Sequence, residues 1–347
     1  MLPNQNYTVS VQNLPDYFTL SPATAQATFD EGTTEQQLEF CLSATQQVND
    51  LNVRLLPINE SRPGFASNYQ LVVQNMGTAT TAAQVTIQYD SQFQTYASAN
   101  PEPSTTGSNL LTFAIPEIHP FELQYVNVTF QNAAPPVLIG GEALTLTASI
   151  SPDVNDATPL DNSFNLVQPV VNSYDPNDKQ VLQGSQVHID QAGEYLDYII
   201  RFQNTGSASA VNVRIADALH ANLDWNTFSP VSSSHNYRLA ITENNQVSFI
   251  FDNINLPHES ENEAASHGFV AYKIKPVQTV EVGDVVSGNA SIFFDYNAPI
   301  ITNSASTTFV ESLGVAESGV FESLSIYPNP AKDILRIQAD ASIHISE

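Results

Sequence analysis

Basic residues are scarce in this 347-residue chain. Lys and Arg number 10 against 36 Asp and Glu, a net charge of −26. None occurs before Arg54, and none lies between Arg62 and Lys179. A nucleic-acid binder needs a basic stripe that displaces counterions from phosphate. That class is excluded, as is docking on an anionic lipid surface. The charge favours solubility and cation association. Cysteine occurs once, as Cys41 in the apolar run "LEFCL", so no disulfide framework exists. In that setting it reads as a buried small hydrophobe. No run approaches the roughly 20 apolar residues of a membrane helix, so membrane insertion is not expected. The opening "MLPNQNYTVSVQNLP" has neither the basic nor the apolar region of a signal peptide, and the chain reads as starting inside a larger protein.

Helical periodicity is nearly absent too. In its place stand short runs of period two, rich in Val, Ile, Thr, Tyr and Phe. Examples are "YQLVVQN" (69–75), "YVNVTF" (125–130), "YLDYIIRFQN" (195–204) and "FVAYKIK" (269–275). Asn, Asp, Ser, Gly and Pro separate them and supply turns. The fold class is all-β, as tandem immunoglobulin-like β-sandwiches.

The middle of the chain repeats itself. "NYQLVVQNMGTATTAAQVTI" (68–87) matches "DYIIRFQNTGSASAVNVRI" (197–215), with Tyr69, Gln74, Asn75 and Gly77 answering to Tyr198, Gln203, Asn204 and Gly206. Asp153, Asn155, Pro159 and Asn162 answer to Asp295, Asn297, Pro299 and Asn303, with slightly longer loops in the second copy. Loops absorb such insertions and cores do not. Four regions follow: 1–45, three strands that resemble the last part of a prealbumin-like stalk domain; 46–172 and 173–312, two immunoglobulin-like sandwiches; and 313–347, a linker with a further element. In "QN-x-G" the glycine is expected to take positive φ and to serve the turn. A phosphate-binding loop would need a helix N-terminus behind it.

Candidate chemistry is sparse. The seven histidines form no metal-ligand spacing, and neither a Gly-x-Ser-x-Gly elbow nor a P-loop is present. No catalytic residue is assigned, and the chain reads as non-enzymatic. Trp225, the single tryptophan, either stacks on a sugar or plugs a sandwich core, and the core is the preferred reading. One constellation stands out: Asp153, Asn155 and Asp156 in "DVND", and Asp175, Asn177 and Asp178 in "DPND", on either side of the proposed junction. Calcium takes six to eight oxygens from such groups and would stiffen the junction. The competing and preferred reading is turn chemistry, where Asn and Asp cap their own backbone.

"SYDPNDKQVLQG" (173–184) with "LDYIIRFQNTGSASAVNVRIADALHANLDWNTF" (196–228) resembles immunoglobulin-like domains of multidomain secreted proteins from Bacteroidetes-type bacteria. The 46–172 region resembles the conserved-repeat β-domains of surface proteins. "LSIYPNPAKDILRI" resembles the start of a type IX secretion C-terminal sorting domain, with Tyr327, Pro328, Asn329 and Pro330 as its motif. The hairpin, Gly-x-Tyr strand and basic terminus that follow in that family are not found before Glu347, so the tail reads as cut short. These resemblances imply a structural or adhesion module on the outer surface or secreted, exported by the type IX machinery, with an unknown surface protein or glycan as ligand. The alternative is an accessory, carbohydrate-binding module of a secreted hydrolase.

Overall fold

The computed structural model describes residues 5–11, 14–30, 32, 35–151, 155–172, 175–242, 245–311, 324–327 and 336–339. The protein is all-β. Among the described residues the only helical pieces are two 3-10 turns, Pro159–Asp161 and Ile189–Gln191.

Nine strands build the first sandwich: β1 Leu51–Pro57, β2 Ala66–Asn75, β3 Thr81–Gln88, β4 Gln94–Asn100, β5 Thr105–Thr106, β6 Leu110–Ile118, β7 Leu123–Asn132, β8 Ala143–Ser151 and β9 Ser163–Pro169. One sheet has the order β1-β2-β7-β4 and the other β9-β8-β3-β6-β5. Alternation sets the faces. Tyr69, Leu71 and Val73 of β2 and Val126, Val128 and Phe130 of β7 point inward and are almost wholly buried. Across from them lie Val85 and Ile87 of β3, Phe113 of β6 and Leu146 of β8.

The second sandwich uses β10 Asp178–Val181, β11 Leu196–Gln203, β12 Val213–Ala218, β13 Leu223–Ser233, β14 Arg238–Thr242, β15 Gln246–Phe251, β16 His267–Pro276, β17 Ala290–Phe294 and β18 Ile300–Ile301. Its sheets run β10-β11-β16-β13 and β14-β15-β12-β17-β18. Adding nine to each label of the first sandwich gives the same order. Three further strands, Gln186–His188, Val285–Gly288 and Ala305–Val310, form a small sheet of their own. Within it Gln186–His188 runs parallel to Ala305–Val310. In the first sandwich, isolated parallel bridges join Asn49 to Asp156 and Ser61 to Val170.

The two sandwiches stack face to face. Strand β11 is buried along its whole length. Tyr198, Ile200 and Phe202 enter the core of the second sandwich. Ile199, with Val231, Phe269 and Ala271, joins the apolar cluster of the first. The β1 strand is likewise buried throughout. Strands β1 and β11 therefore have no solvent face, which explains why "LNVRLLP" and "YIIRF" read as near-continuous rather than alternating runs. Two arginines within the seam are paired with carboxylates. Arg54 Nε donates to Asp197 Oδ1 at 3.1 Å. Arg201 Nε donates to Asp178 Oδ1 at 2.7 Å, its Nη2 donates to Asp178 Oδ2, and its Nη1 reaches the carbonyl of Pro57 at 3.0 Å.

Before the first sandwich, Gln5–Val9 pairs with Ala25–Phe29 and Phe18–Ser21 with Cys41–Ala44. This segment touches the first sandwich through Phe18, whose ring lies 5.0 Å from that of Phe121, and through Tyr17. Cys41 is exposed, against the buried position expected. The ribbon has no layer over that face, and every residue of Cys41–Ala44 is exposed. At the other end Leu324–Tyr327 pairs antiparallel with Arg336–Ala339. Tyr327 closes the first of these strands, while Pro328, Asn329 and Pro330 lie outside the described residues.

Candidate functional site: an acidic cluster and a crevice at the seam

Three carboxylates converge at one end of the seam. Asp50 directly precedes β1, Asp156 lies in the loop after β8, and Asp161 ends the 3-10 turn Pro159–Asp161. One oxygen from each lies within 4.8 Å of the other two. Asp156 is fixed by the backbone: its Oδ2 accepts from Leu51 N at 2.8 Å and its Oδ1 from Thr158 N at 2.9 Å. Asp50 Oδ2 accepts from the Tyr17 hydroxyl at 2.5 Å. Its other oxygen, Oδ1, is buried without a hydrogen-bond partner, as is Oδ1 of Asp161.

Electrostatics follow from this crowding. Burial, with Asp50 and Asp156 nearby, pushes the Asp161 carboxyl up to about 7, although Arg54 and Lys273 oppose the shift. Burial also raises Asp50, and burial together with the Asp50 bond raises the Tyr17 phenol. Lys273 of β16 approaches from the second sandwich. Burial, then Arg54, holds its ammonium down at about 8. It rests over the Tyr195 ring at 4.7 Å.

A crevice of 660 Å³ opens at the opposite end of the seam. Glu60, Arg62, Phe65, Asp175, His267 and Phe269 are among the residues that line it. The Arg62 guanidinium lies 4.3 Å from the centre of the Phe65 ring. Glu60 Oε2 is buried without a partner, and desolvation raises its carboxyl.

The structure separates the described residues among the six singled out for calcium. Asp153 is outside the described residues. Asn155 takes positive φ in the turn after β8, and Asp156 joins Asp50 and Asp161. Asp175 Oδ1 accepts from Asn177 N at 3.0 Å, Asn177 Oδ1 accepts from Gln203 N at 3.2 Å, and Asp178 is engaged by Arg201. Asp156 binds the first residue of β1, whereas Arg201 binds the last, Pro57. Seven extended residues span about 20 Å, too far for one ion to be shared. Asp50 carried no signal in the sequence, because more than a hundred residues separate it from Asp156 and Asp161, and Asp161 falls outside the "DVND" motif.

Two other expectations change. Gly77 and Gly206 do not have positive φ. Space demands the glycine at 77: a Cβ there would stand 2.5 Å from Val48 O and 2.8 Å from Asp50 N. Trp225 is 47% exposed rather than in the core. The pairing of β13 with β16 jumps from Asp224↔Lys275 to Ser229↔Lys273, so residues 225–228 form a bulge, with Trp225 exposed and Phe228 turned onto the core. Asp224 Oδ1 accepts from Asn226 N at 3.1 Å and Asp224 O from Thr227 Oγ1 at 2.7 Å, which closes the bulge.

Residues 175–308 match the model of a family described as a domain of unknown function (DUF7619). This stretch covers most of the second sandwich. No curated protein is significantly similar to the chain. Among solved structures, the C-terminal domain of the Streptococcus pyogenes antigen I/II-family protein AspA aligns with 9% identity and a TM-score of 0.27, covering 75% of this chain and 99% of that one. The collagen-binding subdomain of the Enterococcus faecalis surface protein ACE aligns with 13% identity and a TM-score of 0.27, covering 40% and 99%. A collagen-binding domain from a Staphylococcus aureus adhesin gives 11% identity, a TM-score of 0.27, and coverage of 40% and 99%. At such low scores nothing about a ligand carries over from these proteins.

Proposed function

We propose that this chain is a non-catalytic, rigid double sandwich that serves as a spacer or adhesion module of a secreted or cell-surface bacterial protein. The observation that supports it most directly is the face-to-face seam. Two stacked sheets, tied at one end by the Arg54–Asp197 pair and at the other by the bond from Arg201 to the carbonyl of Pro57, hold the sandwiches in one orientation. A flexible tandem would swing about its linker; this pair presents one fixed surface. The resemblance of the tail around Tyr327 to a sorting segment supports export by the type IX machinery. A reporter fused to residues 313–347, and one fused to the same tail completed with the hairpin, Gly-x-Tyr strand and basic terminus of the sorting family, test this part in a bacterium with that machinery. Retention of the completed fusion at the level of a tail-less control would overturn it.

A second reading, an accessory carbohydrate-binding module, is favoured by Trp225, which offers an exposed indole on its bulge. One experiment separates the two. The whole chain and Trp225→Ala are applied to a glycan array and to immobilised matrix proteins, collagen included. Binding to protein by both forms supports the adhesion reading. Glycan binding lost in Trp225→Ala supports the second. No binding to either panel leaves a purely spacing role.

A further inference from the structure

We propose that Asp50, Asp156 and Asp161 hold one divalent cation of the calcium class at the end of the seam between the sandwiches. Proximity is the first reason, since one oxygen from each falls within 4.8 Å of the others. The second is an unmet need. Asp50 is only 6% exposed, and its Oδ1 has no hydrogen-bond donor. Asp161 Oδ1 is buried and equally unmatched. A buried carboxylate oxygen without a donor is unfavourable unless a proton or a metal compensates it.

Charge adds a third reason. Asp50, Asp156, Asp161 and Asp197 gather at this end of the seam, with Arg54, Lys273 and Lys275 near them. Arg54 is already bonded to Asp197, which leaves the three clustered carboxylates without a guanidinium of their own. The ligand atoms are all carboxylate oxygens, the set preferred by calcium and magnesium over zinc or copper. They come from three unlike pieces of backbone: the lead into β1, the loop after β8 and a 3-10 turn. Calcium tolerates such irregular geometry, whereas magnesium demands a near-ideal octahedron. Asp156 and Asp161 are partly exposed, so water can complete the shell.

The bound ion would tie these three pieces together. Through the Tyr17 bond to Asp50 it would also fasten the N-terminal segment to the first sandwich. Tyr17 supplies the probe, because a phenol next to a bound lanthanide sensitises its luminescence. The whole chain, stripped with chelator, is titrated with terbium and then with competing calcium, and melted in calcium and in EDTA. The expected result is one saturable site, displaced by calcium, with a higher melting midpoint in calcium. Tyr17→Phe should lose most of the luminescence yet keep the calcium-dependent rise in midpoint. Asp161→Asn should weaken calcium binding at least tenfold, while Asp175→Asn, at the far end of β1, should leave it unchanged. Equal midpoints in calcium and EDTA for the unaltered chain would overturn the proposal. So would undiminished luminescence in Tyr17→Phe, a readout that stands even if Asp161→Asn does not fold.

Discussion

Asn75 and Asn204 make the same three hydrogen bonds in the two sandwiches. Asn75 Nδ2 donates to Ala79 O at 2.8 Å and Ile118 O at 2.9 Å, and its Oδ1 accepts from Gly77 N at 2.9 Å. Asn204 Nδ2 donates to Ala208 O at 2.9 Å and Leu256 O at 3.0 Å, and its Oδ1 accepts from Gly206 N at 3.1 Å. Asn75 ends β2 and Asn204 directly follows β11, and each clamps the crossing to the opposite sheet.

Removing either clamp deletes three hydrogen bonds made by a buried side chain, each worth about 1 kcal/mol. We predict that Asn75→Ala and Asn204→Ala each lower stability by about 2–4 kcal/mol. Gly77→Ala should cost more than Gly206→Ala. A Cβ at 77 meets backbone at 2.5 and 2.8 Å, whereas at 206 it meets only a side-chain oxygen at 3.0 Å. Urea unfolding of the four variants checks both statements, and a reversed order of the glycines would count against the steric account.

Lys179 Nζ donates to both oxygens of Asp217 at 2.7 and 2.8 Å, and the Tyr272 hydroxyl donates to Asp217 Oδ2 at 2.6 Å. Asp217 is fully buried. Breaking one side leaves an uncompensated buried charge, so Lys179→Met or Asp217→Leu alone should cost about 3–5 kcal/mol. The combined variant Lys179→Met, Asp217→Leu, Tyr272→Phe should recover most of that loss. Denaturant titration of the set measures the non-additivity directly.

Arg54→Leu leaves Asp197 with only the Gln183 amide as partner, at 2.9 Å. We expect a loss of about 3 kcal/mol, concentrated at the seam. The two sandwiches should then unfold in separate steps. Calorimetry would show one transition in the unaltered chain and two in the variant.

Lys273 sets a pH dependence. Its folded pKa, about 8, lies below the ordinary lysine value of 10.5. Between those two values the unfolded chain holds a proton that the folded one has released. Stability from this group therefore rises with pH from about 8 to 10.5, by on the order of 2 kcal/mol. Lys273→Met should remove that rise. Comparing the urea midpoints of the two proteins at pH 7.5, 9 and 10 cancels the tyrosines common to both.

Trp225 reports on its own environment. With its side chain on an exposed bulge, its emission should resemble a solvated indole, and iodide should quench it readily in the native state. A blue-shifted, protected emission would return it to the core.

Pattern alone revealed the strands because most of them carry one buried and one open face. β7 shows this plainly: Val126, Val128 and Phe130 alternate with Leu123, Tyr125 and Asn127. The stacking of the sandwiches left a trace only in the continuous runs of β1 and β11, which are ambiguous until their partners are known. Trp225 was misplaced because local composition says nothing of a register jump set by β16, fifty residues on. The acidic cluster was half legible. "DVND" marked Asp156, but Asp50 comes from the other end of the same sandwich, and Asp161 stands five residues on, outside the motif. The "DPND" residues, by contrast, turned out to be backbone and Arg201 partners, which is the turn chemistry that their proline suggests.

The parallel pairing of Gln186–His188 with Ala305–Val310 carries a mechanical consequence. These segments lie near the two ends of the second sandwich. Tension applied along the chain pulls them in opposite directions along their shared axis. The backbone bonds at Gln186↔Thr308, Val187↔Phe309 and His188↔Val310 are then strained together in shear rather than unzipped one at a time. Rupture under force is governed by the unfolding barrier rather than by equilibrium stability. A protein tethered at one end and tugged at the other would resist through this patch, and single-molecule pulling would place its first yield point there.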